Sequence, residues 1–143
     1  MCLASRATTT LKIGTSVTNP VTRHAAVTAS AISTVQVESG GRAVLGVGRG
    51  DSSMGYIGRK PAPASLLDAY LADIQTYLRG DAVDIDGYES RIQWLGNYDM
   101  PKVPVDVAAT GPRVIAIAAR QAERITFALG ADPARIDVAI ASA

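Results

Sequence analysis

The 143-residue sequence predicts an α/β fold built on parallel strands. Two observations carry this. Short apolar runs alternate with segments of helical periodicity, in the order β-α-β-α-β-α-β-α, and such alternation implies right-handed crossovers between parallel neighbours. Each apolar run also empties into a loop of Gly, Ser, Thr, Asn or Asp. That collects polar atoms at the C-terminal ends of the strands, where folds of this kind bind ligands. The pattern allows two architectures, a doubly wound open sheet and a (β/α)8 barrel.

Taken in order, Met1–Thr10 reads as the end of a helix with no cap before it. A strand follows at Leu11–Ser16 and turns rigid and polar at Thr18-Asn19-Pro20. A helix over Ala25–Glu38 places Val27, Ala31 and Val35 on one face with Ile32 beside them, and Gly40-Gly41 ends it. Ala43–Gly48 is continuously apolar, as a buried parallel strand should be. Arg49–Ser53 is a polar loop and Met54–Pro63 a surface loop. Leu67, Tyr70, Leu71, Ile74, Tyr77 and Leu78 mark an amphipathic helix over Ala64–Arg79. Residues 81–101 break the rhythm as an insert. Val83-Asp84-Ile85 alternates, Asp86-Gly87 is a hairpin turn, and Ile92-Gln93-Trp94 alternates again. Trp94 reads as packing this insert down. Val103–Ala109 is the third strand, with Pro112 in the first turn of the next helix, whose stripe is Val114, Ile117 and Ala118. Ile125–Leu129 is the fourth strand. Asp132-Pro133, an N-cap followed by proline at N1, opens the last helix, Ala134–Ala143.

Composition removes several classes of function. Nearly half the residues are hydrophobic but few are aromatic, so the core is built from Ala, Val, Ile and Leu. A formal net charge of +1 leaves no electrostatic footprint for nucleic acid or an anionic membrane. One cysteine, Cys2, and one histidine, His24, support neither a disulfide framework nor a metal site. No apolar run approaches the ~18 residues of a membrane span, and the N-terminus lacks the apolar region of a signal peptide. The expectation is a soluble, cytoplasmic protein whose ligand is a small molecule.

Four loops, Val17–His24, Arg49–Ser53, Thr110–Pro112 and Gly130–Asp132, follow the four strands and so share one end of a parallel sheet. Their glycines let backbone N–H groups approach a phosphate or a ring; Gly48, at the end of the second strand, is one of these. GVGRGDSS departs from the dinucleotide fingerprint, because Asp51 stands where the third glycine belongs, and the chain has no P-loop lysine. Asp51 is the acid/base candidate, a carboxylate at a strand's C-terminal end; an N-cap or loop-ordering role competes with that reading. His24 precedes a helix and reads as its cap.

TSVTNPVTRHAAVTASA followed by GGRAVLGVGRGDS resembles the luciferase-like monooxygenase superfamily. It is most similar to the branch of reductases and dehydrogenases that use coenzyme F420, of the methylenetetrahydromethanopterin reductase type. VPVDVAATGPRVIAIA and ITFALGADPARI are similar to the next two βα units. The resemblance implies a partial (β/α)8 barrel, with residues 1–143 supplying strands three to six as one domain and residues 1–10 ending the preceding helix. It implies a cis peptide between Ser16 and Val17 at the back of a deazaflavin ring, Thr18 near the ring's polar edge, and Thr110-Gly111 binding the cofactor phosphate. Asp51 matches a carboxylate that is glutamate in some deazaflavin dehydrogenases. Ala25 stands where the family often has proline. Ala131 stands where one branch has a phosphate-binding lysine, which keeps flavin mononucleotide (FMN) as the alternative cofactor. Half a barrel leaves two bare sheet edges, which predicts homo-oligomers or aggregation. Three readings follow: a piece of an F420-dependent hydride-transfer enzyme, an FMN-dependent monooxygenase, or a non-catalytic truncated fragment.

Overall fold

A four-stranded parallel sheet organises the chain, which the computed structural model describes over residues 1–143. The helix α1 (Cys2–Ala7) precedes β1 (Ile13–Gly14), α2 (Ala25–Ser39), β2 (Ala43–Val47), α3 (Asp51–Tyr56) and α4 (Ala64–Leu78). A separate antiparallel hairpin, β3 (Val83–Ile85) and β4 (Tyr88–Ser90), is followed by a 3-10 turn at Gln93–Asn97. Then come β5 (Val105–Ala109), α5 (Pro112–Gln121), β6 (Arg124–Phe127) and α6 (Pro133–Ala141). The spatial order is β1-β2-β5-β6, which never reverses. Right-handed crossovers in one unreversed direction put every connecting helix on the same face. A doubly wound sheet needs a reversal, so the arrangement is a stretch of (β/α)8 barrel, with one face under helices and the other open.

Strand alternation sorts the side chains. Ala43, Leu45 and Val47 on β2 and Val105, Val107 and Ala109 on β5 are buried in one core cluster with α2, α4 and α5. The intervening residues face the other way, and the register pairs Gly46 with Asp106 and Ala108 with Thr126. Helix α4 buries all six of its predicted apolar residues. Tyr70, one of them, shares a 2.6 Å hydrogen bond with Thr28 of α2, and burial pushes its phenol pKa up. Pro112 occupies the first turn of α5, and Asp132 caps α6 by accepting from the Ala134 N–H at 3.0 Å.

Four sequence expectations need correction. Helix α2 does not present Val27 and Ala31 to the core. Val27 is 57% exposed, and the buried face is Ala25, Thr28, Ala29, Ile32, Ser33, Val35, Gln36 and Ser39. Small residues pack closely there, and Thr28 and Gln36 find partners on Tyr70 and Pro101, so the apolar stripe misidentifies the seam. Arg49–Ser53 and the segment after it are not all loop. Gly50, at φ 85°, turns the chain into α3, and Met54, 1% exposed, anchors that helix. Ile92-Gln93-Trp94 lies in and before a 3-10 turn rather than a strand. The first strand pairs with β2 over only Ile13–Gly14 before it bulges, and β5 starts at Val105.

Candidate active site

The bulge is where the site begins. Gly14 pairs with Val44 and Thr18 with Val47, so the first chain advances four residues while β2 advances three. One extra residue on one strand is a β-bulge, which kinks the strand and re-aims its side chains. The Ser16–Val17 peptide within it is cis. Thr18 re-forms the ladder, its N–H donating to the Gly46 carbonyl at 3.0 Å and its carbonyl accepting from the Gly48 N–H at 2.9 Å. Thr15 Oγ1 donates to the same Gly46 carbonyl at 2.7 Å.

The bulge explains two glycines of GVGRG. A Cβ on Gly46 would overlap the Thr15 carbonyl oxygen, and one on Gly48 would lie 2.8 Å from Val17 Cγ2 and 3.8 Å from Ala108 Cβ. Val17, 42% exposed, therefore stands over bare backbone. Together with Ala108 of β5 it makes a shallow apolar floor. Above it opens a cleft of about 320 Å³ at the C-terminal ends of the strands, with Ser16, Asp51, Ser52, Ser53 and Thr110 among its walls.

The surrounding loops are held by specific bonds. Asn19, 6% exposed, accepts from the N–H groups of Val21 and Thr22 at 3.0 and 3.1 Å and from the Thr22 hydroxyl at 3.2 Å. A Cβ on Gly50 would sit 3.1 Å from Asn19 Cβ, so the first two loops pack against each other. Arg49 Nε donates to the Ala62 carbonyl at 2.6 Å, and the Ala62 N–H donates to the Arg49 carbonyl at 3.0 Å, which ties down the chain after α3. His24 is the N-cap of α2, its Nδ1 accepting from the Ala26 N–H at 3.2 Å. Among all residues no cluster of three or more His, Cys, Asp or Glu side chains could hold a metal ion.

Five of the seven residues expected in the site from the sequence, Ser16, Val17, Gly48, Asp51 and Thr110, line one cleft. Thr18 and Gly111 do not. Thr18 borders a separate small cavity with Arg23, Thr28 and Ile32, and Gly111 is the N-cap of α5, its carbonyl accepting from Val114 and Ile115. Asp51 is exposed at the first position of α3. Sequence reasoning passed over Ala108, Ala128, Ser52 and Ser53, which also line the cleft. Alternation could have found Ala108, since it shares Gly48's face of the sheet; the serines were legible only as neighbours of Asp51.

The family model for luciferase-like monooxygenases matches residues 1–143. The chain is 36% identical over 118 residues to the 5,10-methylenetetrahydromethanopterin reductase of Methanolobus tindarius, covering 78% of this chain and 35% of that protein. It is 36% identical over 131 residues to the F420-dependent glucose-6-phosphate dehydrogenase of Nocardia farcinica, covering 84% of this chain and 39% of that protein. Among solved structures, the coenzyme F420 dependent tetrahydromethanopterin reductase of Methanopyrus kandleri superposes with a TM-score of 0.77 at 26% identity, covering 99% of this chain and 46% of that one. The chain thus spans less than half the length of these relatives. No helix is long and apolar enough to cross a membrane.

Proposed function

This chain belongs to the luciferase-like monooxygenase family, and from that premise we propose that it carries the coenzyme-holding part of an oxidoreductase that uses coenzyme F420 on a small organic substrate. The observation that carries the reading is the floor of the cleft. Val17 is raised by a bulge over Gly46 and Gly48, two positions where any Cβ would collide with the bulge. A flat apolar rest with polar groups on its walls suits the face of a planar ring. When bound, the coenzyme supplies hydride transfer at its C5 position.

The chain's own residues have separable tasks. Val17 and Ala108 support one face of a ring and keep water from it. Ser16 and Thr110 offer polar groups at the ring's margin. Gly111 opens α5, and the Arg113 N–H in its first turn has no intrahelical acceptor, as at any helix start; such a start favours a phosphate. Asp51, at the mouth, holds or accepts a proton on the substrate side. The glucose-6-phosphate dehydrogenase and the Methanopyrus kandleri reductase, both named as F420-dependent, favour the deazaflavin over FMN.

Titration of the purified chain with oxidised coenzyme F420, followed by absorbance and fluorescence, tests this. Saturable binding at tens of micromolar is expected, with FMN binding more weakly. Absence of F420 binding in that range overturns the reading for this chain, and tighter binding of FMN replaces the deazaflavin with the flavin.

A further inference from the structure

A second cavity, of about 230 Å³, lies at the opposite end of the sheet from the cleft. Its floor is the C-terminal half of α2, one wall is the C-terminal end of α4, and its roof is the segment from Leu95 to Val103.

The cavity arises from three polar residues of α2. Ser30, Ser33 and Gln36 recur every third residue, so they stand in a row on one helix face. The outer two hold the insert down. Ser30 Oγ accepts from the Trp94 Nε1–H at 3.2 Å, and Trp94 in turn packs edge-to-face on Tyr98 with ring centres 5.8 Å apart. Gln36 Nε2 donates to the Pro101 carbonyl at 2.8 Å, while its Oε1 accepts from the Ala43 N–H at 2.9 Å. Between these two anchors the roof lifts away. Ser33, only 3% exposed, lines the space so formed, and its hydroxyl takes no partner in the protein.

The other groups define what would fit. Leu78, Leu95, Met100 and Val103 give the cavity an apolar side, facing the polar groups of Ser33 and Gln36. The two cations at the margin are already engaged: Lys102 with Glu123 at 2.7 Å and Arg79 with Asp81 at 3.2 Å. A charged ligand therefore finds no free counter-ion. The Ser33 hydroxyl opens onto this space with no protein partner, free to pair with a guest, and about 150 Å³ is room enough for a benzene-sized molecule. We propose that this cavity binds a small uncharged molecule with an apolar ring or chain and one hydroxyl or carbonyl oxygen, which pairs with Ser33.

Phenol is the probe, and the methionines are the reporters. Met100 lines this cavity, whereas Met54 lies beside Gly50 near the cleft. With 13C-methyl methionine in the full chain, phenol is expected to shift the Met100 signal saturably, with a Kd of about 1 mM, and to leave Met54 in place. Benzene, which lacks the hydroxyl, should bind about fivefold more weakly. Ser33→Ala should weaken phenol by a similar factor and leave benzene unchanged; the Met54 signal of that variant confirms its fold. No saturable Met100 shift by about 10 mM overturns the proposal. So does equal binding of phenol and benzene, or phenol affinity unaltered by Ser33→Ala.

Discussion

Val17 and Gly48 make the cleft a question of single atoms. The 2.8 Å separation between Val17 Cγ2 and a Cβ on Gly48 is too short for any real contact. Gly48→Ala should therefore displace Val17 and weaken coenzyme binding about tenfold with little change in far-UV circular dichroism. The sharper measurement is the double variant. Val17→Ala in the Gly48→Ala background makes the room that the added methyl needs, so the two losses should be less than additive. Strict additivity in the titration would show that the two residues do not share one floor. Asn19 is a different case, because it acts on loop order. It accepts three hydrogen bonds while buried. Asn19→Ala leaves those donors unmatched and should cost about 2 kcal/mol in urea unfolding. A loss below about 0.5 kcal/mol would mean that water replaces the side chain.

At the scale of elements, β5 and β6 are clasped at their N-terminal ends by one carboxylate. Burial pushes the Glu123 pKa up, but hydrogen bonds from Lys102, the Val105 N–H and Gln75 outweigh it and hold the carboxyl below its usual value. A carboxylate whose pKa is lower folded than unfolded stabilises the fold above its unfolded value. That contribution is lost as the pH falls through the folded value. Unfolding temperature should accordingly drop on acidification below the ordinary carboxylate range, and Glu123→Gln should flatten that drop while costing about 1 kcal/mol at neutral pH, a figure reduced because the side chain is 41% exposed. An unchanged acid slope in the variant would assign the acid sensitivity to other groups. This clasp was not legible in the sequence, since Gln75, Lys102 and Glu123 are far apart in the chain and meet only when α4 packs over the sheet. Elements with strong local chemistry were legible: α4 from its stripe, the hairpin from Asp86-Gly87, whose two positive φ angles suit that turn, and α5 and α6 from their prolines. The seam of α2 was not, because Thr28 and Gln36 are buried against partners distant in the chain that no periodicity announces. The bulge at Ser16-Val17 came only from resemblance to a family; by composition it reads as plain strand. The cleft was legible as the strand ends that a parallel sheet brings together, and Asp51 and Thr110 line it; Thr18, which the family resemblance put beside the ring, borders a separate cavity.

For the whole molecule, what matters is where pairing stops. β1 and β6 each have a neighbour on one side only, and both are parallel to the strands beside them. An unpaired edge offers a row of N–H and C=O groups to any strand that comes alongside. The open face is better defended, because the Thr126 hydroxyl bonds both oxygens of Asp106 at 2.9 and 3.0 Å and Arg124 is exposed beside them. That mixed polar surface lowers the gain from stacking face to face, so association should run through edges. At tens of micromolar the chain is then expected to elute above the size of a 14.8 kDa monomer. Ile125 is the residue to change. It lies at the middle of β6, half-buried against the core, and Ile125→Pro breaks the pairing with β5 that holds β6 as an extended edge. If association uses β6, this variant shifts the elution towards monomer even as it loses stability; if it uses β1, elution is unchanged. A wild-type chain that runs as a monomer at every concentration, with intact circular dichroism, would show that single-sided pairing at both edges is tolerated in solution.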